Sequence, residues 1–139
     1  MPPAHRPSVA IVGTVFLGGC LGGIARYGVT RAWPTPQHAF PWATFAINAN
    51  GAFVLALLLV VVNDVLPPTT YVRPLLGTGF CGAWTTFSSI TASTDQLAAH
   101  SHAGTAILYL VGSLAVGLMA ALAGLVTGRS LARYRDGSA

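Results

Sequence analysis

The stretch Gly77-Thr-Gly-Phe-Cys-Gly-Ala-Trp-Thr-Thr-Phe-Ser-Ser-Ile-Thr-Ala-Ser93 decides how the rest of the chain must be arranged. It carries no charge and lies between long apolar segments, yet it is too polar for an ordinary membrane span. Gly77, Gly79 and Gly82 each lower helix propensity by roughly 1 kcal/mol relative to alanine. Thr85, Thr86, Ser88 and Ser89 follow, hydroxyls able to bond a main chain whose regular ladder is interrupted. Inside a bilayer a broken helix is tolerated only where protein or a water-filled cavity satisfies the freed N–H and C=O groups. Such breaks form ion sites, because carbonyls face cations and half-helix N-termini face anions. A kinked, tightly packed span with no bound ion is the plainer alternative.

Composition supports the membrane setting. Of 139 residues, 53% are hydrophobic and only 7% charged, against about a quarter charged in soluble chains. The seven basic residues are all arginine, the acids are Asp64, Asp95 and Asp136, and the net charge is +4. No clustered basic face with polar or aromatic partners is present, which argues against nucleic acid. The expected partner is the lipid bilayer, with its anionic leaflet. No catalytic histidine or carboxylate cluster and no phosphate loop exists, so the chain does not read as an enzyme. Cys20 and Cys81 both lie in apolar runs and read as small buried fillers rather than a disulfide.

The reading is an all-α integral membrane protein of one domain with four transmembrane helices, the third broken. The spans are about 9–29, 43–62, 75–97 and 104–127. Met1 to Ser8 is a short polar leader. Leu17-Gly18-Gly19-Cys20 resembles a lipoprotein cleavage site, but the apolar run continues beyond it and a retained span is the preferred reading. The pairs Gly18/Gly22 and Gly19/Gly23 are small-xxx-small spacings that let another helix approach closely. Arg26, near the end of this span, has two readings: snorkelling to the interface, or a structural and electrostatic role toward carbonyls or anions.

The first loop holds three prolines, with Trp33 and Trp42 suited to the headgroup level. His38 has no metal-ligand companion near it. In the second span Thr44 and Asn48 are four apart and share a helix face, while Asn50 points nearly opposite. Buried amides need a partner across a helix contact or a face toward water. Asn48 reads as pore-lining, whereas for Asn50 an interhelical hydrogen bond is at least as good a reading. Pro67-Pro68 stops the second span. His100-Ser-His102 has metal-binding spacing but no third ligand nearby. On the fourth span Thr105, Tyr109 and Ser113 recur at i+4, with Gly117 next, as a stripe of hydroxyls. These donors can rotate toward an anion, and helix–helix bonding is their plainer use. Arg129, Arg133 and Arg135 belong to a tail expected to be exposed.

Four spans set both termini on one side. Arg6, Arg73, Arg129, Arg133 and Arg135 share that side, which the positive-inside rule makes cytoplasmic. Four short helices rich in small residues enclose little pore alone, so association is expected.

The sequence resembles the fluoride channels called Fluc or CrcB across essentially its whole length. Four blocks carry the match: Gly18-Gly-Cys-Leu-Gly-Gly-Ile-Ala-Arg-Tyr27, Ala43-Thr-Phe-Ala-Ile-Asn-Ala-Asn-Gly-Ala-Phe53, Gly79-Phe-Cys-Gly-Ala-Trp-Thr-Thr-Phe-Ser88 and Tyr109-Leu-Val-Gly-Ser113. The third is highly specific, and the order and spacing of all four add to it. The resemblance implies an antiparallel, dual-topology dimer in the inner (plasma) membrane, passing fluoride along its interface. It implies a structural sodium ion, Na+, held by backbone carbonyls of Gly82 and Thr85 from each subunit. It sets Phe87, with Ser88 next to it, at the fluoride path, Asn48 and Thr44 beside it, and Tyr109 and Ser113 along a polar track. No organic cofactor is implied.

Physical chemistry agrees with this. Fluoride is small and strongly hydrated, so dense hydroxyl and amide donors must replace its lost water. An aromatic edge also carries positive quadrupole density. The family usually has a second phenylalanine three residues after the first, but here that residue is Ile90, which has no quadrupole. Gly117 stands where another hydroxyl would extend the track. The family also includes subunits that work only as heterodimers of fixed, opposite orientation. The arginine bias fits such a fixed orientation, so both homodimer and half of a heterodimeric pair are carried forward. The rivals are a small multidrug-type cation exporter, which needs a membrane carboxylate whereas Asp64, Asp95 and Asp136 read as lying at span ends, in loops or in the tail, and a non-transporting membrane scaffold subunit.

Overall fold

The structure, a computed structural model, describes residues 8–36, 39–67 and 69–136, apart from the side chain of Asp136. His5, Arg6, His38 and Pro68 lie outside the described residues. Every regular element described is helical.

Helix α1 (Val9–Ala32) starts where the Ser8 side chain accepts the Ile11 N–H at 3.3 Å, satisfying one orphan donor of the first turn. Helix α2 (Trp42–Val60) follows Pro41, whose fixed φ suits a chain entering a helix. It continues as a single wide π turn, Val61–Val65, closed by Leu66 N–H to the Val61 carbonyl at 2.9 Å. With that turn it is 24 residues long, the same as α1. Both are long and apolar enough to cross a bilayer, and so is the 33-residue run Ala103–Arg135.

The segment between them is built differently. Arg73–Cys81 is π-helical, Gly82–Trp84 forms one short α turn (α3), Thr85 and Thr86 are extended, and α4 (Phe87–Ala99) resumes the helix. The expected interruption is therefore present, but the glycines do not make it. Gly77 and Gly79 sit inside the π-helical half, and the chain opens only at the two threonines after Trp84.

Glycines set the helix packing. A methyl at Gly18 would run into the Leu75 carbonyl, and one at Gly22 into the Phe80 carbonyl. From the other side, a methyl at Gly79 would come within 2.6 Å of the Val15 carbonyl oxygen. Here α1 lies backbone to backbone on the π-helical half, as small-xxx-small spacing permits. Gly19 and Gly23 have nothing within 4 Å, so only one of the two expected glycine pairs is used inside the chain. A second close pair is α2 with α5 (Ala103–Asp136), where Gly124 abuts the Phe53 carbonyl and Gly128 the Val60 side chain.

The α4–α5 hairpin turns through Ser101, which has φ 64°. His102 N–H reaches the Leu97 carbonyl at 3.0 Å and Ser101 N–H the Ala98 carbonyl at 3.2 Å, the paired bonds of a Schellman ending. This folds α4 onto α5, where Ile90, Leu97, Ala106 and Tyr109 pack with Phe40, Phe45 and Leu110.

Two expectations change. The fourth helix does not end near Thr127 but runs on to Asp136, so Arg129, Arg133 and Arg135 ride on the helix itself, all three exposed. Cys81 is buried as expected, but Cys20 is exposed. Phe16, Leu17, Leu21 and Ile24 on α1, and Leu108, Val111, Leu118 and Leu122 on α5, are also exposed. So much apolar surface needs lipid or another subunit against it.

Candidate functional site

The break at Thr85–Thr86 is held by side chains. Thr85 (φ −79°, ψ 153°) still donates its N–H to the Cys81 carbonyl at 3.0 Å, and its Oγ1 donates to the same oxygen at 2.9 Å. Thr86 (φ −153°, ψ 110°) turns its N–H away from its own helix to the Asn48 Oδ1 on α2, at 2.8 Å. Asn48 is itself steadied by Nδ2 donating to the Thr44 carbonyl at 2.9 Å. The Thr86 Oγ1 then caps α4, accepting the Ser89 N–H at 3.2 Å and lying 3.1 Å from the hydroxyls of both Ser88 and Ser89.

This bonding has a consequence for two carbonyls. In a continuous helix Thr86 N–H would serve Gly82 and Ser89 N–H would serve Thr85. Both donors are diverted, one to Asn48 and one to the Thr86 side chain. The Gly82 and Thr85 carbonyls thus lie at the negative end of a half-helix without their helical donors. Apart from Gly82's own helix backbone and chain neighbours, no atom comes within 4 Å of where its Cβ would stand, so that side is open. A set of neutral main-chain oxygens at an unwound point suits a hard cation. Opposite, Gly51 makes room for the break: a Cβ there would meet Thr85 Cγ2 and come within 2.9 Å of Trp84 Cδ1. Trp84 stacks on Phe80 with centroids 6.0 Å apart, and its Nε1 is buried without a partner.

The other expected residues divide between two sides of the chain. Phe87 opens α4 and is 63% exposed, and Ser88 is exposed beside it. Ile90, three residues on, points into the α4–α5 core instead. Tyr109 is fully buried and Ser113 nearly so. The Tyr109 hydroxyl faces Thr44, Ser93 and Ser113, yet neither it nor the Ser113 hydroxyl makes a hydrogen bond of good geometry. Arg26 is half-buried and lines a cleft of about 250 Å3 with Thr44, Thr86 and Ser89, among residues that include no carboxylate.

The interhelical amide bond is made by Asn48, while Asn50 is exposed. His100 Nδ1 lies 2.7 Å from the Gln96 carbonyl, and no group of three metal-ligating side chains occurs among the described residues. Sequence reasoning missed Ser93 as a neighbour of Tyr109. Its position four residues after Ser89, on the same face of α4, was the available signal.

A family model for CrcB-like protein, Camphor Resistance (CrcB), matches residues 13–125. The chain belongs to the CrcB family. It is 50% identical over 124 residues to the fluoride-specific ion channel FluC 3 of Streptomyces avermitilis, covering 88% of this chain and 61% of that protein. The chain thus spans about three-fifths of the length of that relative. The fluoride-specific ion channel FluC 2 of the same organism is 41% identical over 117 residues, covering 81% of this chain and 74% of the relative. A fluoride-specific ion channel FluC 2 of Nocardia farcinica is 38% identical over 139 residues, covering 99% and 96%. These relatives are named as channels, not enzymes. With three helices long and apolar enough to span, this CrcB-family chain is a multi-pass membrane protein.

Proposed function

We propose that this CrcB-family chain is a fluoride-selective channel for passive export of cytoplasmic fluoride across the cell's inner membrane. The observation that carries the reading is the Asn48–Thr86 bond, which holds the main chain open beside Thr44, Ser88 and Ser89. Two arguments support it beside the names of the relatives. Fluoride binds water so strongly that a path must offer dense, charge-free donors in exchange, and Thr44, Asn48, Ser88, Tyr109 and Ser113 are of that kind. An aromatic edge at Phe87 adds positive quadrupole density. Export needs no energy source, because hydrogen fluoride enters cells as a neutral weak acid and leaves fluoride trapped inside.

The broken segment is the third of four crossings in this reading, and the working unit is an antiparallel dimer. A second subunit covers the exposed Phe87 and brings a second copy of the Gly82 and Thr85 carbonyls to the dimer axis. Together these oxygens would hold a structural sodium ion, whose charge balances the half-helix dipoles meeting there. The partner is a second copy or a homologous subunit. The heterodimer is favoured by Ile90 in place of a second phenylalanine and by the arginine bias. Streptomyces avermitilis has at least two related channels, as a paired system requires.

Fluoride-electrode recording of efflux from liposomes, with the protein alone and with a homologous partner, tests the reading. Rapid efflux with little chloride leak is expected in one of the two arrangements. Silence in both would favour a scaffold subunit. Proton-coupled efflux of organic cations would favour the exporter, against which the exposure of Asp64 and Asp95, in the last turns of their helices, already argues.

A further inference from the structure

The α1–α2 connection and the last turns of α4 enclose a cleft of about 430 Å3, whose lining includes Thr35, Pro41, Thr44, Ser93, Gln96 and His100. No carboxylate is among the described residues that line it. Thr44 and Ser93 form its inner wall, and against them lies the Tyr109 hydroxyl. That residue is 0% exposed and Ser113 is 7% exposed, and their hydroxyls sit among those of Thr44 and Ser93 with no hydrogen bond of good geometry. Native chains leave few buried polar atoms poorly paired, so a cluster of hydroxyls that face one another without good bonds has donors to spare for a ligand. Thr44 also lines the cleft that holds Arg26, Thr86 and Ser89. It therefore stands between the break and this second cleft.

We propose that Ser93 is the fourth donor of a buried hydroxyl site for a small, strongly hydrated anion, built with Thr44, Tyr109 and Ser113, and that this site opens to water through the cleft bounded by Gln96 and His100. The proposal rests on the fluoride-channel reading and assigns Ser93 and the Gln96–His100 mouth, to which that reading gives no part. Four hydroxyls suit the task chemically. Each can turn its O–H toward the anion, and none carries a charge that would hold it permanently. Ser93 is half-buried where Tyr109 is sealed, so it can face bulk-connected water and the enclosed donors in turn. An anion at this point exchanges water for hydroxyls one partner at a time. Without the Ser93 hydroxyl it must make that exchange in one step.

The test combines flux with chemical labelling, using the full chain in liposomes with whichever partner it needs. Ser93→Ala is expected to lower fluoride efflux about tenfold, the worth of one lost hydrogen bond to a charged group, and Ser93→Thr, which keeps the hydroxyl, restores most of it. In a Cys20→Ser background, a Ser93→Cys thiol is expected to react with a small water-soluble methanethiosulfonate, read as a mass shift, and saturating fluoride should slow that reaction. Wild-type efflux matched by Ser93→Ala would overturn the proposal and leave the channel reading standing. So would a Ser93→Cys thiol that labels only after denaturation. A wild-type protein that passes no fluoride, alone or paired, removes the channel reading and this site with it.

Discussion

The Thr86 main-chain N–H donates to the Asn48 side-chain oxygen at 2.8 Å, across 38 residues of sequence. That bond makes the difference between a kinked segment and an open one. Within hydrocarbon a freed N–H has no water to turn to, so a break without a partner would close back into helix. Asn48 removes that pressure at the one residue where closure would begin, and it leaves the Gly82 carbonyl without its helical donor.

Replacing Asn48 with leucine should therefore damage both fold and flux. The lost acceptor leaves Thr86 N–H unsatisfied, at a cost of about 1–3 kcal/mol. Thermal unfolding in detergent should record the loss, and fluoride efflux should fall at least about tenfold. An Asn48→Leu protein as stable as wild type would mean that the break is held by something else.

Gly51 offers a steric route to the same place. An added methyl in Gly51→Ala would meet Thr85 Cγ2 and Trp84 Cδ1, pushing the extended residues out of position. Gly112→Ala is the matched control, since its nearest neighbour, Phe45 Cε2, is 4.0 Å away. Overpacking of this kind costs about 1–3 kcal/mol. Gly51→Ala should lose stability and efflux together, and Gly112→Ala neither. Equal behaviour of the two would remove the tight contact from the account.

Much of this arrangement was legible in the residues because membrane chemistry leaves few choices. Glycine spacing announced the close approach of α1, and the run of hydroxyls after Gly82 announced the interruption. What remained hidden depends on direction in space. Nothing in the spacing told Gly18 and Gly22, which touch a backbone, from Gly19 and Gly23, which touch nothing. Asn48 and Asn50 are the same amide two residues apart, and only the relative rotation of α2 and the broken segment decides which one reaches Thr86. The continuation of α5 through three arginines was masked by a change in polarity, although arginine is a good helix former and suits a helix C-terminus.

Sodium supplies a prediction independent of flux. If the Gly82 and Thr85 carbonyls hold the ion in a dimer, exchanging sodium for N-methylglucamine should lower the unfolding temperature. Binding at a hundred times the dissociation constant contributes about 2.7 kcal/mol of stability. The shift should follow sodium concentration and be insensitive to equimolar organic cation. A protein whose melting ignores sodium does not carry that site.

The α4–α5 turn is a place where stability can be gained without touching the path. Ser101 holds a left-handed φ of 64°, which costs a residue with a Cβ about 1–2 kcal/mol relative to glycine. Ser101→Gly should therefore raise stability by about 1 kcal/mol. Efflux should stay at the wild-type rate, as read in the same liposomes.

Tyr109→Phe separates structure from conduction most cleanly. The ring is fully buried and packs edge-on against Phe40, centroids 5.2 Å apart, so phenylalanine keeps the contacts. The hydroxyl makes no hydrogen bond of good geometry to the Thr44, Ser93 and Ser113 hydroxyls that it faces, so removing it sacrifices little. Stability should consequently change by no more than about 0.5 kcal/mol, or rise slightly. An anion passing Thr44 and Ser113 would nonetheless lose one of its donors, and efflux should drop about tenfold. Asn48→Leu must fail in both measurements, whereas Tyr109→Phe must fail in one. If Tyr109→Phe lost stability as Asn48→Leu does, its hydroxyl would be a structural bond and not a donor kept open for the ion.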